Sequence, residues 1–164
     1  MRALIFALLG AITLIVAGCS SGMKPYTGPE VTRIAVYKDA RKMFLLHNGK
    51  ILKSYNIDLG FAPEGDKKVK GDGKTPEGHY RIDRRNPNSD YYLSIGMSYP
   101  NASDVAEAKA LGQEPGGDIF IHGESKNKSF RGTDWTWGCI AVSNKEMIDI
   151  YRMVKLNTII SVYP

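Results

Sequence analysis

From Val31 onward, hydrophobic and polar residues alternate in short runs broken by turn formers. Val31, Arg33, Ala35 and Tyr37 share one face and Thr32, Ile34 and Val36 the other, the period of two that predicts a strand. A polar stretch, Lys38-Asp39-Ala40-Arg41-Lys42, leads to Met43–His47, and Asn48-Gly49 separates that run from Lys50–Ile57. Asn-Gly between two strand-like runs marks a type I′ hairpin, because both central positions need positive φ. The domain therefore opens as an antiparallel meander. Glycines and prolines at close intervals make residues 60–78 a loop, and Tyr80–Ile82 and Tyr91–Ile95 read as strands. Ser103–Leu111 reads as a helix capped by Ser103, with Asp104 and Glu107 at its positive end and Gly112 as its stop. Asp118–His122 and Gly138–Val142 are further strands. Ser143 with Glu146 forms a capping box, and the helix it opens carries Met147, Ile150, Tyr151 and Val154 on one stripe. Thr158–Val162 closes the chain as a strand. Many short strands with two short helices predict a mainly β fold, a sandwich or an open barrel. No repeat, second domain or low-complexity tract interrupts the pattern.

The start of the chain breaks that pattern. After Met1-Arg2 comes an apolar run, Ala3 to Val16, that ends in Ala17-Gly18-Cys19-Ser20. A basic start, a short apolar core and small residues at its end read as a secretory signal, too short to cross a bilayer comfortably. Small residues directly before a cysteine resemble a bacterial lipoprotein cleavage site. The resemblance implies that residues 1–18 are a signal peptide and that Cys19 carries lipid as the first mature residue. The alternative is an ordinary signal or uncleaved anchor in which Cys19 is incidental. Ser20 in place of Asp resembles the rule that sorts lipoproteins to the outer membrane, so the expected location is the periplasmic face of the envelope. Residues 19–30, rich in turn formers and poor in core residues, read as a tether. That leaves 31–164 as the folded domain; 164 residues less 18 is 146, enough for one core.

A lipid-anchored, exported chain changes how charge and cysteine are read. The formal charge of +5 includes local basic clusters, Lys67-Lys68-Val69-Lys70 and Arg81–Arg85. Outside the cytosol the partners are anionic wall or membrane surfaces, not nucleic acid, unless the clusters are simply solvated. There are two cysteines. If Cys19 is lipidated, Cys139 has no partner in an oxidising compartment and is either a buried inert residue or a reactive thiol.

A cysteine nucleophile requires a base, a home for the oxyanion and access. Of the three histidines, His47 sits beside the hairpin turn and His79 at a strand start, where packing roles suffice. His122 ends an apolar strand immediately before Gly123, where rigid scaffold meets loops. Cys139 follows 17 residues later, after a loop long enough to fold over a substrate. A free thiol titrates at about 8.5, so an adjacent imidazole is needed to raise its thiolate fraction. Zinc sites need three or four ligands, usually in close-spaced pairs; no Cys-x-x-Cys or His-x-x-x-His occurs, and neither a metal nor any other cofactor is expected.

His122-Gly123, then a loop, then Thr136-Trp137-Gly138-Cys139-Ile140 resembles the signature of the L,D-transpeptidase (YkuD-type) catalytic domain. Independently, Gly71–Tyr80, with Thr75-Pro76-Glu77-Gly78-His79-Tyr80, is similar to that family's Thr-Pro-x-Gly-x-aromatic stretch, in the same order and spacing. The resemblance spans Val31 to Pro164. It implies a β-rich fold and cysteine acyl transfer on peptidoglycan stem peptides. Cys139 would attack the carbonyl of an L-to-D bond, typically diaminopimelate to D-Ala, and form a thioester. His122 would be general base, its other ring nitrogen held by the Gly123 carbonyl. Backbone amides of Trp137, Gly138 and Cys139 are oxyanion-hole candidates. An amine from a second stem would give a 3-3 crosslink or protein attachment; water would give hydrolysis.

Two positions depart from the commoner family pattern. Trp137 stands where many members carry His, and Ala141 where many carry Arg or Asn. Ala141 removes the usual contact to the substrate carboxylate, for which Arg131 and Arg81 are the candidate replacements. The run Trp137–Val142 resembles a subgroup that includes an enzyme releasing lipoprotein from peptidoglycan, so wall-bound lipoprotein is a further candidate partner. Trp135 and Trp137 line a donor groove or pack a lid. Asp134 binds a stem amine or caps a turn. Thr136 lies beside the substrate and positions the Cys139 loop by hydrogen bonding. A non-catalytic wall-binding module remains the competitor from another class; a redox thiol is disfavoured because no second cysteine can resolve a disulfide.

Overall fold

Asn48-Gly49 turns the chain as its composition requires, with φ of 47° and 83°. The computed structural model describes residues 22–125 and 132–164, and the turn lies within its most regular part. β1 (Arg33–Tyr37), β2 (Lys42–His47) and β3 (Lys50–Asn56) form the expected antiparallel meander. β4 (Gly78–Asn86), β5 (Ser94–Met97) and β6 (Phe120–His122) form a second one, to which β7 (Ile140–Ala141) adds in parallel. β8 (Ile159–Tyr163) inserts between the halves, parallel to β1 and antiparallel to β4. The outcome is one eight-stranded sheet in the order β3-β2-β1-β8-β4-β5-β6-β7. Single-residue bridges, Asp58 to Ala141 and Gly60 to Thr136, draw the segment after β3 towards β7. The sheet is therefore curled, the open-barrel alternative, and not two sheets packed face to face.

α1 (Ala102–Ala110) and α2 (Asn144–Met153) are the two helices among the described residues. Ser143 and Glu146 make the reciprocal capping box at α2, and Met147, Ile150, Met153 and Val154 bury its stripe in the same core as Ile34, Val36, Ile82, Ile121 and Ile140. At α1 the cap is Asn101, not Ser103: the Asn101 side chain accepts from Ser103 N and Asp104 N, and Asp104 returns a bond to Asn101 N at 2.7 Å. Asparagine caps as well as serine does, and here it precedes an acidic residue at the reciprocating position. Tyr91–Leu93 turns before β5 begins; Tyr92 has φ of 73° and Leu93 N bonds back to Tyr91 O. Asp118, with φ of 56°, also lies outside its strand.

Two segments read as polar linkers are structural. Met23 and Tyr26 pack against the core, and Arg152 of α2 donates to the carbonyls of Lys24 and Pro25. The tether read over 19–30 is thus part of the folded unit from Met23 onward. Lys38, in the stretch between β1 and β2, is 1% exposed. Its ammonium donates to the carbonyls of Gly65 and Thr75 (3.1 Å) and pairs with Glu77 at 2.7 Å. A buried ammonium is retained only where such acceptors satisfy it. Lys38 therefore pins the 60–78 loop, which backs the Cys139 segment.

Candidate active site

His122 ends β6 and is 3% exposed. Its Nδ1 lies 2.7 Å from Gly123 O. A carbonyl can only accept, so Nδ1 carries the proton and Nε2 presents a lone pair, the tautomer a base requires. Burial lowers the imidazole below its ordinary pKa, only partly opposed by the Gly123 carbonyl. Tyr91 lies over the ring at a 4.5 Å centroid separation, and Trp135 meets it edge-on at 5.6 Å. Gly123 is required where it stands: a Cβ there would come within 2.5 Å of Asn144 Oδ1 and 3.0 Å of Tyr91 O.

Cys139 immediately precedes β7. The register Ile121 to Ile140 and His122 to Ala141 sets Cys139 opposite Phe120, two ladder positions from His122. Alternation puts both on the face opposite the core residues Ile121 and Ile140. The thiol is 3.5 Å from Asp118 O. Burial pushes it above its ordinary pKa; the Phe120 backbone opposes the shift, Asp118 adds to it and Lys67 offsets it. Both shifts favour uncharged partners, so the resting pair is a neutral thiol and a neutral imidazole. From that resting state the thiol gives up its proton during attack.

The Cys139 turn is held by its own side chains and by three converging backbones. Thr136 Oγ1 donates to Cys139 O at 2.8 Å and accepts from Gly138 N at 3.2 Å. Gly138 has φ of 120°, and a Cβ there would lie 2.5 Å from Lys74 O. At Gly60 a Cβ would lie 2.0 Å from Gly73 O. Buried Thr75 accepts from Gly60 N at 3.2 Å. The Thr75–Gly78 stretch thus shapes the site from behind.

Several residues read as substrate contacts take other roles. Gly138 N is spent on Thr136 Oγ1, which leaves the amides of Trp137 and Cys139 as the oxyanion-hole candidates. Thr136 is 3% exposed and acts on the loop alone. Asp134, at φ of 52°, takes a bidentate pair from Arg41 (2.7–3.0 Å) and accepts from Leu59 N at 2.9 Å; its carboxylate is committed and cannot receive a stem amine. Trp135 packs on His122 and Tyr91, whereas Trp137 is 69% exposed and meets Phe61 edge-on at 4.9 Å. Arg81 pairs with Ile159 on β8 and donates to Asn157 O, away from the Cys139 row. Arg131 and Cys19 lie outside the described residues. Sequence reasoning missed Tyr91, Lys38 and Arg41. Only their places near turns distinguished them, since none belongs to a recognisable motif.

The family model for the YkuD L,D-transpeptidase catalytic domain matches residues 31–162. YafK of Escherichia coli, provisionally named an L,D-transpeptidase, is 32% identical over 127 residues, which are 74% of this chain and 46% of YafK. The crystal structure of the helical cell shape determining protein Pgp2 from Campylobacter jejuni aligns with a TM-score of 0.64 at 28% identity, over 84% of this chain and 49% of Pgp2. Bd1075 of Bdellovibrio bacteriovorus aligns with a TM-score of 0.57 at 28% identity, over 82% of this chain and 48% of its own. The chain spans about half the length of these relatives.

Proposed function

The chain belongs to the L,D-transpeptidase catalytic domain family, and on that premise we propose that it is a cysteine acyltransferase acting on peptidoglycan stem peptides at the periplasmic face of the envelope. The observation that carries this reading is the His122 tautomer, set by the Gly123 carbonyl so that Nε2 holds the lone pair, on the sheet face that bears Cys139. In the first step Cys139 Sγ bonds to the carbonyl carbon while its proton passes to His122 Nε2. The tetrahedral oxyanion is received by backbone N–H groups of Trp137 and Cys139, donors fixed in advance by the Thr136 hydrogen bonds. Collapse breaks the C–N bond, and His122 returns the proton to the leaving D-residue amine, leaving a thioester. An acceptor amine then attacks, gives its proton to His122 and releases the thiol, forming a 3-3 crosslink or a protein attachment. Water in place of the amine gives hydrolysis, including release of wall-bound lipoprotein. By analogy with Pgp2, a consequence for cell shape follows from either outcome.

The test is incubation of the protein with purified sacculi that retain bound lipoprotein, with muropeptides resolved by mass and Cys139→Ser as control. New 3-3 dimers dependent on Cys139 are expected. Loss of crosslinks or lipoprotein-linked species without new dimers assigns hydrolysis instead. No Cys139-dependent change would leave a wall-binding module and refute the acyltransferase.

A further inference from the structure

One exposed ion pair shares a residue with the nucleophile. Arg84 of β4, Gly96 of β5 and Phe120 of β6 occupy one cross-strand row, and the register of β6 with β7 extends that row to Cys139. The Arg84 side chain crosses Gly96 and lays its Cζ 4.8 Å from the centre of the Phe120 ring. Gly96 makes the crossing possible: a Cβ there would come within 2.9 Å of Arg84 Nε and 3.1 Å of Phe120. The guanidinium thus ends over Phe120, whose place in the ladder is opposite Cys139. Arg84 Nη1 donates to Asp118 Oδ1 at 2.9 Å, and Asp118 O accepts from the Cys139 thiol at 3.5 Å. Asp118 holds this position at φ of 56°.

The pair is open to solvent, at 44% exposure for the Arg84 side chain and 83% for Asp118. Of the five guanidinium N–H groups, one is spent on Asp118 and one on Asp83. Among the described residues, no hydrogen bond engages Arg84 Nη2 or the second oxygen of Asp118. A fixed cation and a fixed anion, side by side, form the complement of a group bearing both charges. We propose that Arg84 and Asp118 form the specificity site for the acyl donor, accepting a residue whose side chain ends in an amino-carboxylate. The carboxylate docks on Arg84 Nη2 and the ammonium on Asp118. The pair supplies the charge that Ala141 does not carry, while Arg81 is engaged with Asn157 O. This inference rests on the acyl-transfer reading.

Turnover of tetrapeptide stems that differ only at the third residue tests it. The three probes carry diaminopimelate, diaminopimelate with its side-chain carboxylate amidated, and lysine, which has the amine alone. The intact protein is expected to favour the free carboxylate at least tenfold in kcat/KM, chiefly through KM. Arg84→Gln should bring the ratio to about one while Arg84→Lys recovers part of it. Asp118→Asn should weaken the diaminopimelate stem more than an analogue with the side-chain amine acetylated. Equal turnover of all three stems by the intact protein overturns the inference and leaves acyl transfer standing. So does an Arg84→Gln variant that slows every stem by the same factor, since Arg84 would then act only through Asp118 on the thiol. Absence of Cys139-dependent turnover with any stem removes acyl transfer and this site with it.

Discussion

His122 and Cys139 are displaced from their ordinary pKa values in opposite directions by the same cause, removal from water. Between the depressed native pKa of His122 and the ordinary value near 6.5, the unfolded chain carries a proton there that the folded chain does not. Stability therefore rises with pH through that window and is lost as pH falls through it, with no further change from this group once both states are protonated. The base is competent over the same window. The acid limb of kcat/KM, which reports the free enzyme, should have its midpoint below 6.5, and alkylation of Cys139 should accelerate only at a pH above that of a free thiol. An acid limb at or above 6.5 would mean that the imidazole is stabilised as a cation, against the neutral pair. The charge-committed Asp134 shows how residue type alone misleads here: a carboxylate two positions before a motif reads as a contact, and only the fold reveals Arg41 beside it.

Among the elements, the 60–78 loop decides whether the nucleophile is held. It has no strand ladder of its own, and the Lys38 ammonium ties it to the segment between β1 and β2 through three positions along it. Lys38→Met would leave Glu77 and two carbonyls without their donor, at a cost of about 3–5 kcal/mol. At roughly 2–4 °C per kcal/mol for a chain of this size, the melting temperature should fall by about 10 °C. Lys53→Met removes a half-exposed pair with Asp149 and should shift it by no more than a degree or two. Equal effects in thermal melts would refute the pinning role. This loop also marks the limit of legibility. The hairpin at Asn48-Gly49 and the α2 capping box were readable because each is carried by local residue chemistry, and His122 and Cys139 stood out through the motifs that flank them. The Lys38 clamp was not, because its partners lie 27 to 39 residues away. The same holds for the convergence of Gly60, Gly73 and Gly138. Strand ends at Tyr91 and Asp118 were misplaced because positive φ at a non-glycine leaves no trace in an apolar pattern.

At the scale of the molecule, the packing of Met23 and Tyr26 against the core bears on how the domain would meet a membrane. If Cys19 carries lipid, Ser20-Ser21-Gly22 is all that separates it from docked chain, about 10 Å at full extension. The N-terminal peptide of protein recovered from membranes should then carry a diacylglyceryl group on Cys19; an unmodified or differently processed terminus would exclude the anchor. Such a leash would hold the site close to the bilayer, within reach of only the nearest wall.

β8 is the last element of the chain and the one that joins the two meanders. Until residues 159–163 exist, β1–β3 and β4–β7 share no ladder beyond two single-residue bridges. The two meanders can therefore join into one sheet only once the residues of β8 are in place, however early each has formed its own ladders.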